Sequence, residues 1–375
     1  MDFEFTDEQL ELRDVARTVL ASACPSSVVR GIYEGTGDGD ALWQTLRELD
    51  WPGLGISVDH GGVGLGLIEV GVIVEELGRA VAPTPYLATV TQFVPMLRAA
   101  GSALRLDEIA SGSVTGTLAV AERGRWSIDA VTATARRLDG GEGWVLNGTK
   151  SHVLDGTTAD ELAVVARSVD GDGIGVFLVP GSAVRAEPMR VMDPTMPLAT
   201  VVLEEAAVSA DRVLLSPGDP GAADAVERAL HEATTALSLS TVASCRAIFE
   251  ATVRYATERE QFGKPIGSFQ AVKHRLADCY LAVERAAALA YFAALTIAED
   301  DHRRAIATAM AKAAAGDCQR LLTRDGLQLH GGIGFTWEHD LHFLLKRAVT
   351  GELLFGPSSF HRARLAVLLG LEPAA

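Results

Sequence analysis

The spacing of apolar residues changes twice along this chain of 375 residues. Up to about residue 112, and again from about residue 218, apolar positions recur at helical intervals of three and four residues. Between these parts the pattern shortens to the alternation of β-strands, punctuated by Gly and Asp. The pattern therefore predicts a helical protein with a β middle domain, divided into 1–112, 113–217 and 218–375.

The N-terminal part is predicted to form short helices separated by breakers. Thr6 and Gln9 make a capping-box pattern, in which each side chain satisfies a backbone amide at the start of a helix. The Trp-Pro-Gly-Leu-Gly run at 51–55 should end a helix, and another helix is expected over 68–78. The glycine-rich run at 60–66 follows no strand of a βαβ unit, so it does not indicate a nucleotide-binding loop.

Five short runs in the middle part have the composition of strands. They cover 116–120, 131–135, 144–146, 162–165 and 174–179. Their spacing favours a small β-barrel or sandwich. The segment Asn147 to Lys150 has the composition of a hairpin turn.

The last part is predicted to contain long helices near 222–258, 269–299, 302–330 and 340–355. Four such helices joined by short connections would form an up-and-down bundle. Pro265 and its flanking glycines should separate the first two helices, with Ser268 capping the second. Apolar stripes on helices this long are most simply covered by another subunit.

Composition narrows the class of protein. A net charge of −16 argues against a nucleic-acid partner, because the phosphate polymer would be repelled. The four cysteines form no CxxC pair, which favours neither a metal site nor a disulfide framework and fits a reducing cytoplasm. The first residues lack the pattern of a signal peptide, and no uncharged apolar run reaches the roughly 18 residues of a membrane span. We therefore expect a cytoplasmic protein.

The connector between the first two long helices carries candidate chemistry. Arg259 and Gln261 lie at the end of one predicted helix, just before the start of the next. An arginine, an amide side chain and free amides at a helix start together suit a phosphate or pyrophosphate. The alternative is an ordinary helix–helix turn with a solvated charge cluster.

The wording of this connector, REQFGKPIGSFQAVKHRLAD at 259–278, resembles a signature of the acyl-CoA dehydrogenase family, flavoproteins that desaturate acyl-CoA thioesters. The segment 328–338, QLHGGIGFTWE, resembles the family's other C-terminal signature. Both stand in the expected order, and the similarity extends loosely over the whole chain, including an EELG run at 75–78 and the NGxK run at 147–150.

This resemblance implies an FAD bound between two subunits. Arg259 and Gln261 would then contact the pyrophosphate, with Phe262 beside the adenosine, because arginine offers a fork of donors to phosphate oxygens. A double glycine lets the backbone approach a bulky cofactor. The remaining residues implied for the same end of the cofactor are Phe269, Gln270, Gln328, Leu329, Gly331 and Gly332.

The family's reaction removes two hydrogens from a Cα–Cβ bond, with a glutamate as the base for the α-proton. The two positions where the family usually places this glutamate hold Gly356 and Ala233 here. Glu352 and Glu232 lie near these positions and are candidate bases, although an exposed or ion-paired helix acid is the alternative for each.

The part that would face the flavin ring also departs from the family. The usual Trp-Ile-Thr triplet is His152-Val153-Leu154, and the leucine cannot form the hydrogen bond that the threonine makes. His152 is interpreted as a packed or surface histidine. The half of the site that binds the adenine and pyrophosphate thus matches the family, whereas the half that holds the ring and the base does not.

Three hypotheses follow. The chain is a cofactor-lending subunit of a hetero-oligomer, like the family's heteromeric members of steroid side-chain breakdown, or a homomeric dehydrogenase that uses Glu232 or Glu352, or a non-catalytic scaffold. For the enzymes the resemblance implies an acyl-CoA substrate from fatty acid or steroid degradation, an electron-transfer flavoprotein as electron acceptor, and a dimer or tetramer.

Overall fold

The computed structural model describes residues 4–138, 143–171 and 173–371, which fall into two compact units. The helical unit comprises the residues up to Gly39, Leu67–Pro83 and the residues from Thr234 onward. The sheet unit comprises Asp40–Gly66 and Thr84–Ala233. The division into three domains that the sequence predicts stays a prediction.

The described elements are as follows. The helices are α1 (Asp7–Ala23), α2 (Ser26–Glu34), α3 (Asp40–Glu48), α4 (Leu67–Arg79), α5 (Tyr86–Ala88), α6 (Val94–Ala99), α7 (Leu106–Ala110), α8 (Ala222–Glu258), α9 (Gln270–Ala298), α10 (Arg304–His330), α11 (Leu341–Leu353) and α12 (Ser358–Leu368). The strands are β1 (Gly116–Ala119), β2 (Thr134–Arg137), β3 (Gly143–Leu154), β4 (Glu161–Ser168), β5 (Ile174–Pro180), β6 (Arg185–Pro188), β7 (Leu198–Ser209), β8 (Val213–Leu215), β9 (Glu260–Gln261) and β10 (Lys264–Pro265).

The helical unit has the predicted long helices. The capping box at the start of α1 is confirmed, since Gln9 N donates to Thr6 Oγ1 at 3.3 Å and Thr6 N donates to Gln9 Oε1 at 3.0 Å. Helices α8 to α11 lie where the periodicity of the last part predicts them. Their core is built from small and branched side chains, which let long helices approach closely: Val242, Cys245, Ile248, Cys279, Val283, Ala286, Ala315, Cys318, Leu322, Leu341 and Leu345.

Helix α9 is apolar enough to be compared with a membrane span. By length and composition it would suffice to cross a bilayer, with a mean hydropathy of 1.5 in its most apolar window. However, 44% of that window is buried inside the chain. A core helix of a bundle has the same properties, so the finding is weak evidence for a membrane.

The connector between α8 and α9 differs from the prediction. It is a β-hairpin of β9 and β10, and its two-residue turn, Phe262–Gly263, has φ values of 56° and 78°. Two consecutive left-handed residues are typical of a type I′ hairpin turn. The prediction that Ser268 caps α9 is wrong, because a short 3₁₀ turn over Ile266–Ser268 makes Phe269 the N-cap residue.

The sheet unit contains one sheet in the order β6-β7-β3-β2-β4-β5-β8. Strands β1 and β2 both pair with β4 in parallel, β1 along its first half and β2 at its end. Within the described residues the two ends of this order, β6 and β8, do not pair. The fold class is therefore confirmed as helical with a β middle part, but the sheet is open where a closed barrel was one expectation.

The prediction of a hairpin turn at Asn147 to Lys150 is wrong. Strand β3 runs through this segment and pairs with β7, with a register shift between Leu146 and Gly148. A Cβ on Gly148 would lie 2.7 Å from Ala133 Cα, so the glycine permits close packing inside the sheet. The same residue types that favour a turn are thus used here for a bulged strand.

Candidate cofactor site and active site

The ends of α8 and α10 meet in the helical unit. The rings of Tyr255 and His330 stack with centroids 4.6 Å apart and an angle of 20° between their planes. His330 Nδ1 donates to Gly326 O at 2.8 Å, and burial lowers the pKa of His330. The stack brings the predicted pyrophosphate hairpin and the double glycine to the same end of the bundle.

The hairpin after α8 is closed by its backbone. Ile266 N donates to Arg259 O at 2.8 Å, and Lys264 Nζ lies 4.4 Å from the centroid of the Phe269 ring. The side chains of Arg259 and Gln261 are exposed, and Phe262 is 91% exposed. A guanidinium, an amide and an aromatic ring are thus presented outward from a tight turn, which suits an anionic nucleotide.

The turn after α10 offers open space. Gly331 has φ 63° and ψ −142°, a conformation that side chains disfavour, and a Cβ on Gly331 or Gly332 would meet no described atom within 4 Å. Gln328 is exposed and Leu329 is half-buried beside them. The packing of this chain does not itself require glycine at 332, whereas close approach of a cofactor to the backbone would.

Charge is distributed unevenly along the chain. The last 125 residues hold 15 of the 33 lysines and arginines but only 13 of the 49 acidic residues. The part that carries the predicted pyrophosphate contacts is therefore slightly basic, and the large negative charge belongs to the rest of the chain. A diphosphate ligand is repelled less by this part than it would be by the acidic rest of the chain.

Glu352, one of the two candidate bases, is an ion-paired residue at the end of α11. It is 7% exposed, and its Oε1 accepts from Ser358 N at 3.0 Å and from Arg320 Nη1 at 3.3 Å. Lys312 Nζ lies 3.9 Å from Oε2. The carboxylate is thus occupied by a backbone amide and two basic side chains, which is the ion-paired alternative that the sequence leaves open.

Gly356, one of the two positions where the resemblance predicts the family's glutamate, is closed by its surroundings. Phe355 and Gly356 have φ values of 59° and 93°, and a Cβ on Gly356 would lie 2.6 Å from Phe360 Cδ1. Lys312 Nζ donates to Glu352 O at 2.7 Å and to Gly356 O at 3.0 Å. A side chain at 356 would require both a strained backbone and a displaced ring.

Two buried residues that sequence reasoning missed fix this link between α11 and α12. His361 Nε2 donates to Phe355 O at 2.9 Å, and burial, assisted by the charge of Lys312, lowers the pKa of His361 to about 4. Burial likewise lowers the pKa of Lys312 to about 8. The one signal in the sequence was a lysine on the alanine-rich face of α10, where a small apolar residue is expected.

Glu232, the other candidate base, lies on α8 within the sheet unit. Burial raises the pKa of Glu232, and the ion pair with Arg98 opposes that rise. A raised pKa is the property that a base for the α-proton needs. Its neighbour Ala233, the other position where the resemblance predicts a glutamate, is 1% exposed and belongs to the core.

The segment expected near the flavin ring contains a strained histidine. His152 has φ 54° beside a register shift between β3 and β7, and its ring lies 5.5 Å from that of Trp126. Burial lowers the pKa of His152, and its Nδ1 is buried with no hydrogen-bond partner in the described residues. Leu154, two residues further on, is buried. His152 thus places an imidazole at the position where the resemblance implies an indole.

A buried ion pair that the sequence did not reveal orders the neighbouring loop. Lys150 Nζ lies 2.6 Å from Glu122 Oε1, and Glu122 also accepts from the backbone amides of Thr132 and Ala133. Burial lowers the pKa of Lys150 to about 8, although Glu122 opposes the shift. The pair ties β1 and β3 to the segment before β2, so it supports the sheet on the side that carries His152.

The chain is similar to known proteins along nearly its whole length. The profile "Acyl-CoA dehydrogenase, N-terminal domain" matches residues 6–113, and "Acyl-CoA dehydrogenase, C-terminal domain" matches residues 221–369. Acyl-CoA dehydrogenase IpdE2 of Mycobacterium tuberculosis is 32% identical over 346 residues, which cover 91% of each protein.

Two solved structures are similar in fold and sequence. A variant of the Tcur3481-Tcur3483 steroid ACAD is 30% identical with a TM-score of 0.87, covering 97% of this chain and 98% of that one. One chain of the ChsE4-ChsE5 complex from Mycobacterium tuberculosis is 26% identical with a TM-score of 0.89, and the match covers 100% of this chain and 100% of that one. The family resemblance of the two C-terminal sequence blocks is thereby confirmed, and the chain belongs to the acyl-CoA dehydrogenase family.

Proposed function

We propose that this chain is a subunit of an FAD-dependent acyl-CoA dehydrogenase that lends cofactor contacts to a partner, which supplies the catalytic base. The observation that carries the proposal is the closed environment of Gly356, where a positive φ and the Phe360 ring exclude a glutamate. The proposal is supported by the ion pairing of Glu352 and by the core position of Ala233.

FAD is the proposed cofactor. Its chemistry when bound is the acceptance of the hydride that leaves Cβ of the acyl group. On this proposal Arg259 and Gln261 hold the diphosphate, and Gly331 and Gly332 let the backbone come close to it. The exposed Phe262 covers the adenosine. The membership of the chain in a flavoprotein family and the outward presentation of these residues support the assignment.

The proposed substrate is an acyl-CoA thioester, oxidised to the α,β-unsaturated product. The similar solved structures are a steroid ACAD and the ChsE4-ChsE5 complex, and both agree with a heteromeric enzyme of steroid or lipid degradation. We also propose a cytoplasmic enzyme that passes its electrons to an electron-transfer flavoprotein. The acyl group itself would be chosen by the paired subunits together.

A homomeric dehydrogenase is the second candidate, and one observation favours it. Glu232 is a largely buried carboxylate whose pKa is raised by desolvation, and a raised pKa makes a carboxylate a stronger base for an α-proton. Against it stands the ion pair with Arg98, which opposes the rise in the pKa of Glu232 and occupies its carboxylate.

The two candidates are separated by an assay of the chain alone. The chain is purified with added FAD and given acyl-CoA thioesters and an artificial electron acceptor. The lending role predicts no turnover without the partner subunit, and in the assembled enzyme it predicts that Glu232→Gln and Glu352→Gln keep activity within a few fold.

Turnover by the chain alone would contradict the lending role. If that turnover then fell by roughly 100-fold or more in Glu232→Gln but not in Glu352→Gln, Glu232 would be the base of a homomeric enzyme. The matched pair of variants keeps charge removal and side-chain volume the same at both positions.

A further inference from the structure

The segment that joins α10 to α11, 331–340, carries the double glycine and is mostly exposed. It begins with a short 3₁₀ turn, Gly331–Phe335, and continues without regular structure to Asp340. An irregular surface segment loses conformational entropy when it is ordered, so contacts from elsewhere must hold it if it is to meet a ligand in one shape.

Arg30, on α2, makes several of those contacts with one guanidinium. Its Nη1 donates to Trp337 O at 2.9 Å, and its Nη2 donates to Glu338 O at 3.5 Å and to the Asp340 carboxylate. Its Cζ also lies 5.1 Å from the centroid of the Phe343 ring. The planar fork thereby satisfies two backbone carbonyls of the irregular part and joins them to the first turn of α11.

The Trp337 side chain is fixed from the same side. Its ring stacks on His342 with centroids 4.6 Å apart, and Lys346 Nζ lies 4.9 Å from its centroid. Lys346 Nζ is also 4.6 Å from the ring of Tyr33, which lies one turn after Arg30 on α2. Cation–π contacts of this kind add to the hold of α2 on the segment.

The other end of the segment is fixed by the stack of His330 on Tyr255. Between these anchors, Ile333 and Phe335 are 45% and 76% exposed. The backbone of the turn is thus held on both sides while its own apolar side chains face outward, which is the arrangement of a preorganised binding surface.

We propose that Arg30 is a positioning residue that preorganises the turn at Gly331–Phe335 for a flavin nucleotide diphosphate. The inference rests on the proposed function, because the ligand is the cofactor assigned there. Arg30 acts through the backbone of Trp337 and Glu338, which directly follow the turn, and its role is to hold the turn in place without contacting the diphosphate. Helix α2, in the N-terminal part of the chain, thereby contributes to the proposed cofactor site.

The test compares Arg30→Ala and Arg30→Lys with Arg47→Ala in the purified assembly. Arg47 is a matched control, since it donates to the backbone carbonyl of Ser111 in the sheet unit. Hydrogen exchange of 331–340 is measured without FAD, and FAD affinity is then measured by titration with FAD. We expect faster exchange and roughly tenfold weaker FAD binding in Arg30→Ala, from the loss of hydrogen bonds made by a charged group.

Arg30→Lys should restore little of the slow exchange or the FAD affinity, because an ammonium group lacks the planar set of donors that contacts both carbonyls and the carboxylate at once. Arg47→Ala should change neither quantity. Unchanged exchange in Arg30→Ala, or faster exchange with unchanged FAD affinity, overturns the inference.

Failure of the proposed function has a different outcome. In that case the wild-type assembly takes up no FAD, or Arg259→Ala binds FAD as well as the wild type does. If Arg30→Ala weakens FAD binding while Arg259→Ala binds FAD normally, the positioning role of Arg30 is supported and the assignment of Arg259 to the pyrophosphate is wrong.

Discussion

The two glycines of the turn at Gly331–Phe335, which is proposed to bind the cofactor, are constrained differently by the fold. Gly331 has a positive φ, so any side chain there strains the backbone of this chain by about 1–3 kcal/mol. Gly332 has no such constraint, and a Cβ on it would meet no atom of the described residues within 4 Å. A glycine that its own chain does not require points to something that approaches from outside.

We therefore expect Gly332→Ala to leave the free energy of unfolding within about 0.5 kcal/mol of the wild type while it lowers FAD retention. Gly221→Ala is the matched control, because it also adds a Cβ in open space and lies before α8, outside the predicted cofactor residues. Flavin absorbance per chain and thermal unfolding measure the two effects. Full flavin content in Gly332→Ala would remove the argument for close approach.

Sequence reasoning could propose a set of cofactor residues because these residues form continuous motifs. Arg259, Gln261 and Phe262 lie in one hairpin, and Gln328, Gly331 and Gly332 lie in one turn. It gave no sign of Phe360 beside Gly356 or of the ion pairs of Glu352, because side chains that meet across a turn carry no periodic pattern.

The link between α11 and α12 depends on one buried cation. Lys312 reaches from α10 to the carbonyls of Glu352 and Gly356, and its pKa is lowered from 10.5 to about 8 by burial. Between these two values the unfolded chain holds a proton at this residue that the folded chain has released. The contribution of Lys312 to the free energy of unfolding therefore rises as the pH rises through this window.

The unfolding free energy of the wild type should accordingly rise relative to that of Lys312→Met as the pH increases from about 8 to about 10.5. The measurement is urea unfolding of both proteins at several pH values in this window, with the difference in unfolding free energy plotted against pH. Methionine keeps an unbranched side chain of similar length, so the cavity is nearly the same. A flat difference would mean that the lysine is not desolvated in the fold.

The helices were easier to predict than the strands. A stripe of apolar residues at every third or fourth position located α8 to α11, because each long helix must bury one face. Strand β7 was missed although its buried and exposed residues alternate along most of its length. The polar Asn147–Lys150 run was misread as a turn, since a bulge and a turn use the same residues.

The helical unit exposes apolar side chains at the end that carries the turn at Gly331–Phe335. Phe262, Ile333, Phe335 and Trp337 are all at least 45% exposed. A cluster of this kind on one end of a bundle indicates a surface that another molecule covers. Family membership makes a second subunit together with the cofactor the expected cover.

Phe335→Asp should therefore weaken the assembly, because a charge replaces an apolar ring of the covered surface, at a cost of about 2–3 kcal/mol per buried aromatic side chain. Light scattering after size-exclusion chromatography measures the mass of the assembly. Val58→Asp, at a residue 70% exposed in the sheet unit against 76% for Phe335, is the control and should keep the mass. An unchanged mass in Phe335→Asp would exclude this surface from the interface.

Local order along the chain was sufficient to determine the family and the long helices, because each of these is a pattern of neighbouring residues. It was also sufficient to propose the cofactor motifs and the two positions, 233 and 356, that would lack the family's glutamate. Only the tertiary structure decided that Phe360 closes the empty position and that the sheet stays open. It also decided that Arg30 holds a segment 307 positions away. Contacts between residues so distant follow from how helices pack, and no local pattern records them.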